Sequence, residues 1–373
     1  MESRSMEGGG ITRRAFVTGT TLAGAAWVVG RYATVAAWAG TATQAGQAPA
    51  APLVDRGFAS ARKIAEGVYG VISDPSKGPD TLCNGGFVFG KEAALAWEGY
   101  ASPKGAAFQM EALRMVTKVP VKAAIDSHYH FDHSMGNAQY ATLGIPVWAH
   151  EKVVPLIVER YVAIQNRSKA AWLAPAETHL RDAISEADKQ HAEGDLGTLK
   201  FLAGLIDNTV IALPNRSLAP SELPMKMDLG GLEVVMETYP GHTPGDLILR
   251  VPAADVVFTG DLLFNRSYPV TFDADVAGWL KTLDVFSRYG KKTVFVPGHG
   301  PVCGQEGIDL LKSVFADLAE HARQMARMGV PLREAQARYD VPERFKDLGV
   351  FAWGLCIDQA VAQFYKAAQQ GKI

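Results

Sequence analysis

Cysteine is scarce in this chain. Cys83, Cys303 and Cys356 are the only three among 373 residues, and no two stand in a CxxC pair. That spacing offers no CxxC metal or redox motif, and the odd count leaves at least one thiol free. All three read as small buried residues. Basic tracts are missing as well. Charged residues make up 20% of the chain, the formal net charge is -2, and no Arg/Lys stripe runs through it, which speaks against a nucleic-acid binder. The chain also lacks an uninterrupted apolar run of the roughly 20 residues that a membrane helix needs. It has no short-period repeat. What it does have is apolar mass: 48% of the residues are hydrophobic, enough to bury the core of one large domain with appendages.

The N-terminal part reads as an address label. Residues 12–18 are Thr-Arg-Arg-Ala-Phe-Val-Thr, followed by an Ala-, Gly- and Val-rich stretch that Arg31 interrupts and a small-x-small site at Ala37-Trp38-Ala39. Basic, then apolar, then small is the order of a secretory signal, and the Arg13-Arg14 pair resembles a twin-arginine signal. The expectation is a signal over residues 1–39 and a flexible linker over 40–58. The folded, metal-loaded chain would be exported by the twin-arginine translocase into the periplasm or medium of a bacterium. No membrane span would remain after cleavage.

Beyond the linker, strand patterns fall at residues 64–72, 82–89, 93–97, 121–125 and 146–149, then again at 232–238, 247–251, 256–258 and 293–296. The pieces 82–89 and 93–97, split by Gly90-Lys91-Glu92, read as a hairpin. Helical spacing marks residues 105–117 and 276–289. Two strand groups, each backed by helices, predict an α/β fold: a four-layer αββα sandwich over residues 59–305. A helical insertion over about 151–223 covers one end of it. A helical extension over 306–373 follows, closing with an amphipathic helix over 351–367.

The chemistry concentrates in His128-Tyr129-His130-Phe131-Asp132-His133, which holds three of the nine histidines. On an extended segment alternate side chains face the same way, so His128 and His130 reach one metal together. Where the chain turns into the next helix, Asp132 and His133 face a second. Neutral imidazole and carboxylate suit zinc, and also iron or manganese. Three more donors stand at the ends of apolar runs: His242 in Pro240-Gly241-His242-Thr243-Pro244-Gly245, Asp261 in Thr259-Gly260-Asp261, and His299 in Pro297-Gly298-His299-Gly300. Their glycines permit tight turns and close backbone approach.

The order HxHxDH, GHTPG, TGD, PGHG resembles the metallo-β-lactamase superfamily, and within it the glyoxalase II-like hydrolases, from about residue 60 to 305. The resemblance implies one metal on His128, His130 and His242, another on Asp132, His133 and His299, and Asp261 bridging them. Both ions would be zinc, with a hydroxide held between them to cut an ester, thioester, lactone or amide bond of a small molecule. Metal coordination lowers the pKa of water from about 15.7 toward about 7. Asp132, besides binding, would orient the nucleophile or pass on a proton, and Asp126 and Thr243 are candidates for steadying the ligands. Dedicated β-lactamases of this fold carry Cys or Ser where Asp261 stands, so β-lactamase activity is an alternative reading. Residues 262–268 lack the glycines of glyoxalase II proper. Tyr129, Phe264, Arg266 and Tyr268 are candidate substrate contacts, Arg266 as the partner of a substrate carboxylate. Phe131, Met135 and Asn137 adjoin the ligands, and Trp172 and Trp353 belong to a lid or to the core. Two further alternatives are a single-iron dioxygenase acting on sulfur and a metal-binding protein without catalysis.

Overall fold

The computed structural model describes residues 51–165 and 169–373. The expected signal segment 1–39 and residues 40–50 of the expected linker lie outside the described residues. Among the described residues, thirteen strands make two sheets. The first holds β1 (Val54–Asp55), β2 (Ala59–Ala65), β3 (Val68–Ser73), β4 (Gly85–Phe89), β5 (Ala94–Trp97), β6 (Val121–Ile125), β7 (Val147–His150) and β8 (Arg216–Leu218), in chain order. Its first five strands are antiparallel neighbours and β5 to β8 run parallel. The second sheet is built from β9 (Met225–Asp228), β10 (Glu233–Thr238), β11 (Leu247–Val251), β12 (Val256–Phe264) and β13 (Val294–His299). Only its β12–β13 pair is parallel.

Three apolar clusters define the layers. Val88, Leu95 and Ile125 of the first sheet meet Met236, Leu249, Phe258 and Val296 of the second in one buried seam. Alternate residues of the first sheet, Phe87, Ala96 and Ala124, face outward onto α1 (Pro103–Val116), which supplies Phe108, Met110 and Leu113. Period-two alternation is what lets one strand serve both layers. Ser102 starts α1: its hydroxyl accepts from the Gly105 N–H, and Pro103 takes the first turn, where a missing N–H costs nothing. The short α2 (Phe131–Ser134) and α3 (Asn137–Thr142) follow β6.

Between β7 and β8 the chain is helical. After Val153–Ile157 and a π-helical turn at Val158–Val162 come α4 (Lys169–Arg181) and α5 (Glu186–Asp207). On the outer face of the second sheet, Ile248, Val257 and Phe295 pack against α6 (Val276–Phe286), α7 (Gln305–Arg327) and the terminal α8 (Gln359–Gln369). The result is the expected αββα sandwich.

Several elements differ from expectation, among them two short strands that were not anticipated, β1 within the expected linker 40–58 and β9 ahead of the strand expected at 232. The stretch 64–72 is not one strand but the end of β2, a turn and β3, paired Ala59 to Ser73 through Ala65 to Val68. Gly67 makes the turn at φ 70, a left-handed conformation that glycine adopts without strain. The Ala-, Ser-, Arg- and Lys-rich sequence of residues 59–65, with Ile64 its one β-branched residue, hid β2. The three-residue β8 lay within the segment 151–223, expected to be helical and irregular. β12 extends to Phe264, past the expected 258, through two register shifts at Gly260.

The insertion is fastened to the C-terminal segment. Asp195 on α5 accepts from the Gly354 N–H at 2.8 Å, and the His191 ring stacks on Trp353 with centroids 3.8 Å apart. Burial pushes the Asp195 carboxyl up to about 6; Asp358 adds to this, while the Gly354 N–H and His179 oppose it. A carboxyl raised in the folded state holds its proton more tightly there than in the unfolded chain. Its stabilising effect is therefore full below the unfolded pKa of about 3.9 and is lost as pH rises through about 6. Asp195→Asn keeps the acceptor for Gly354 and removes the buried charge. It should melt a few degrees above wild type at pH 8, an effect of roughly 3 kcal/mol at most, with the gap closing near pH 4. A gap of equal size at both pH values in thermal denaturation would refute the assignment.

Candidate metal centre

Seven side chains expected to carry chemistry meet at one end of the sandwich. β6 stops at Ile125 and delivers His128 and His130 on the bend beyond it, and α2 begins at Phe131, so Asp132 and His133 sit on its first turn. His242 lies in the loop between β10 and β11, Asp261 on the irregular part of β12, and His299 on the last residue of β13. Side chains presented from the ends of packed strands are held by the rigid core beneath them.

Their donor atoms form two groups: His128, His130, His242 and Asp261 in one, Asp132, His133 and His299 in the other, each group's atoms within 4.8 Å of one another. In the first, His242 Nε2 faces His130 Nδ1 at 2.9 Å, and Asp261 Oδ2 lies 3.2 Å from His242 Nε2 and 3.8 Å from His128 Nε2. In the second, Asp132 Oδ2 stands 3.3 Å from His299 Nε2 and 3.6 Å from His133 Nε2. Asp261 reaches across: Oδ2 is 3.3 Å from His299 Nε2 and Oδ1 is 3.2 Å from His133 Nε2.

The outer nitrogens of three of the rings are engaged, which turns their inner ones toward the cluster. His242 Nδ1 donates to the Val270 carbonyl at 2.9 Å, leaving a lone pair on Nε2. His128 Nδ1 meets Ser127 Oγ at 2.9 Å, and His133 Nδ1 lies 3.2 Å from Glu98 Oε1. Glu98 also accepts the Ser127 N–H through Oε2. Asn84 pins the His299 loop, donating from Nδ2 to the Pro297 and Gly300 carbonyls at 3.0 and 2.6 Å. Glu98, Ser127 and Asn84 stand outside the motifs read from the sequence. Glu98, a charged residue directly after the apolar run 93–97, was the one visible sign. Of the two residues expected to steady the ligands, Thr243 donates its N–H and hydroxyl to Asp246 and closes the turn after His242. Asp126 accepts from Asn137 Nδ2 at 2.7 Å and braces the approach to α3.

Glycine at 298 is required by the packing. A Cβ there would overlap Asp261 Oδ1 and stand 2.9 Å from the Gly260 carbonyl carbon.

The donor set fits a cation. His128 Nε2, His133 Nε2 and Asp261 Oδ1 are buried with no hydrogen-bond partner, and an orphaned buried polar atom costs about 1–3 kcal/mol. Burial holds His128 and His130 well below the ordinary histidine range, and the neighbouring rings add to it, so both are neutral, the form that binds metal. Burial raises Asp261, yet His299, His133 and His242 together hold it well below the usual carboxylate range. Burial lowers His299, but Asp261 and Asp132 bring it up to about 9. That proton is one a bound cation displaces.

Beside the cluster opens a cavity of about 490 Å³ with His130, Asp132, Asp261 and His299 on its wall. Of the expected substrate contacts, Tyr129, Phe264 and Tyr268 line it. Arg266 does not: it is exposed, at φ 57, on the turn that ends β12. The left-handed turn carries its long side chain to solvent, so the expected carboxylate partner is absent from the pocket. Phe131 and Trp172 also line the cavity, whereas Trp353 packs on His191. Met135 is buried in a cluster with Tyr129 and Tyr161. Cys83, Cys303 and Cys356 are free and buried.

The profile of the metallo-beta-lactamase superfamily matches residues 92–299, more than half of the chain. An uncharacterized protein of Mycobacterium tuberculosis is 41% identical over 86 residues, 20% of this chain and 37% of the relative. A linear primary-alkylsulfatase of a Pseudomonas species is 23% identical over 214 residues, 52% of this chain and 37% of that protein. The chain thus matches little more than a third of the length of these curated relatives. Among solved structures, a metallo-beta-lactamase from Pontibacter korlensis superposes with a TM-score of 0.48 at 18% identity, over 68% of this chain and 97% of that one. The metallo-beta-lactamase FIM-1 from Pseudomonas aeruginosa, in its mono-zinc form, gives 0.47 at 19% identity, over 68% and 93%. With the profile spanning all four ligand-bearing segments, the chain belongs to the metallo-beta-lactamase superfamily.

Proposed function

We propose that this protein is an exported, glyoxalase II-like hydrolase holding two divalent ions, zinc by preference, and cutting an ester, thioester, lactone or amide bond of a small molecule with water. One observation carries the reading: the Asp261 carboxylate faces both donor groups at once, 3.2 Å from His242 and 3.3 Å from His299. His128, His130 and His242 would hold one ion, Asp132, His133 and His299 the other, with Asp261 shared. Ions bound there supply an acidified water and polarise the bond to be cut.

The protein's own groups do the rest. Glu98, Ser127 and the Val270 carbonyl hold the rings in register. Asp132, on the cavity wall beside His299, is placed to orient water and take up a proton at Oδ2. Tyr161, Trp172 and Phe272 surround the approach and exclude bulk water, which strengthens each electrostatic contact inside. The completeness of the second group speaks for hydrolysis over single-iron sulfur chemistry, and Asp261 speaks against a dedicated β-lactamase. The twin-arginine pair in residues 12–18 supports export of the folded chain.

Elemental analysis of the mature protein should find two divalent ions per chain. A panel of esters, thioesters, lactones, β-lactams and, given the alkylsulfatase relative, sulfate esters should contain a substrate whose cleavage stops with chelator and returns with zinc. A single iron per chain, or no cleavage across the panel with both ions bound, would refute the proposal.

A further inference from the structure

We infer that the substrate is an ester or lactone with a long, uncharged apolar tail, and that the tail is housed between the helical insertion and the C-terminal segment. The inference rests on the hydrolase reading and narrows it. Away from its ligand-bearing end, the cavity is walled by Ile164, Trp172 and Leu202 from the insertion and by Val350, Phe351 and Leu355 from the C-terminal segment. These apolar side chains face a space of about 490 Å³ continuous with the ligands. That lies within the roughly 300–1,000 Å³ of small-molecule sites.

The charges on the wall point the same way. Arg160 is engaged, with Nη2 3.2 Å from Asp273 Oδ1 and Nε 3.6 Å from Glu159. Asp273 also receives the Tyr129 hydroxyl. Among the described residues, no Arg or Lys on the wall away from the ligand-bearing end is left to receive a charged group on the tail, and Arg266 lies outside the cavity. A carboxylate on the tail would lose its hydration at that apolar end without gaining a partner. Methylenes gain from the same transfer: each one buried is worth roughly fourfold in affinity. The reaction balances as simple hydrolysis. Water adds across the acyl C–O bond, the acyl carbon keeps the hydroxyl, and the departing oxygen takes the proton.

The test uses the zinc-loaded protein and 4-nitrophenyl esters from acetyl to dodecanoyl. KM should fall by roughly fourfold per methylene over the first several carbons and then level off. Calorimetry with 1-decanol should show binding that ethanol does not. Trp172→Glu places a carboxylate in the wall and should cut the decanoyl-to-acetyl ratio of kcat/KM at least tenfold; Trp172→Phe, which keeps an apolar ring, should preserve the ratio. If acetyl ester is cleaved but KM is flat with chain length, the tail assignment fails and the hydrolase reading stands. If no ester is cleaved, the ester assignment is overturned, and calorimetry decides the tail site by itself: decanol binding supports it and its absence overturns it.

Discussion

Asp261→Ala should yield a folded protein that retains neither ion and has almost no turnover. The carboxylate reaches donor atoms of both sets, at 3.2 Å from His242 and His133 and 3.3 Å from His299. Without it, five imidazoles and Asp132 remain to offset the charge of two dications in a buried pocket. Loss of a residue that merely steadies a ligand lowers metal affinity about 10–100-fold, so loss of a shared ligand should exceed that range. Several kcal/mol of transition-state stabilisation depend on the metals, and a tenfold rate costs about 1.36 kcal/mol, so turnover should fall at least about 1,000-fold. The metal-free fold should survive, because the seam between the sheets does not involve Asp261. Metal content, circular dichroism and turnover of the purified variant check all three points. Two bound ions with unchanged turnover would end the claim that Asp261 is shared.

Gly298→Ala should disable the centre while leaving all seven donors in the chain. The added methyl would overlap Asp261 Oδ1, so either Asp261 or the 297–300 loop must move. The loop has little room to do so: the Gly298 carbonyl accepts the Asn84 N–H at 2.7 Å, and Asn84 Nδ2 holds both Pro297 and Gly300. Overpacking of this kind costs about 1–3 kcal/mol. Turnover should drop on the order of 100-fold, with at least one ion lost. Gly204→Ala is the control. A methyl at that position in α5 meets nothing within 4 Å, and alanine favours a helix by about 1 kcal/mol over glycine, so metal content should be unchanged. If Gly298→Ala kept two ions and full turnover, the packing account would be wrong.

The donor side chains were legible because each is announced by close neighbours. Three histidines and an aspartate stand within six positions, and His242, Asp261 and His299 each follow an apolar run and sit beside a glycine. The structure brings all seven together. Glu98 and Asn84 had no such neighbours; each acts through a partner distant in the chain, as Asn84 does on Gly300, whereas Ser127 adjoins His128 and acts on it directly, but a lone serine carries no signal of its own. β2 and β8 escaped because short or weakly apolar strands are stabilised by their partners in the sheet more than by their own pattern.

Residue order alone determined that this chain can gather imidazoles and carboxylates at strand ends, since periodicity and glycine placement are local properties. Where each ring points, that Arg266 turns away to solvent, and that insertion and C-terminal segment enclose an apolar chamber beside the ligands were decided only by tertiary structure. Those outcomes depend on contacts between residues far apart in the chain, whose energies no single segment carries.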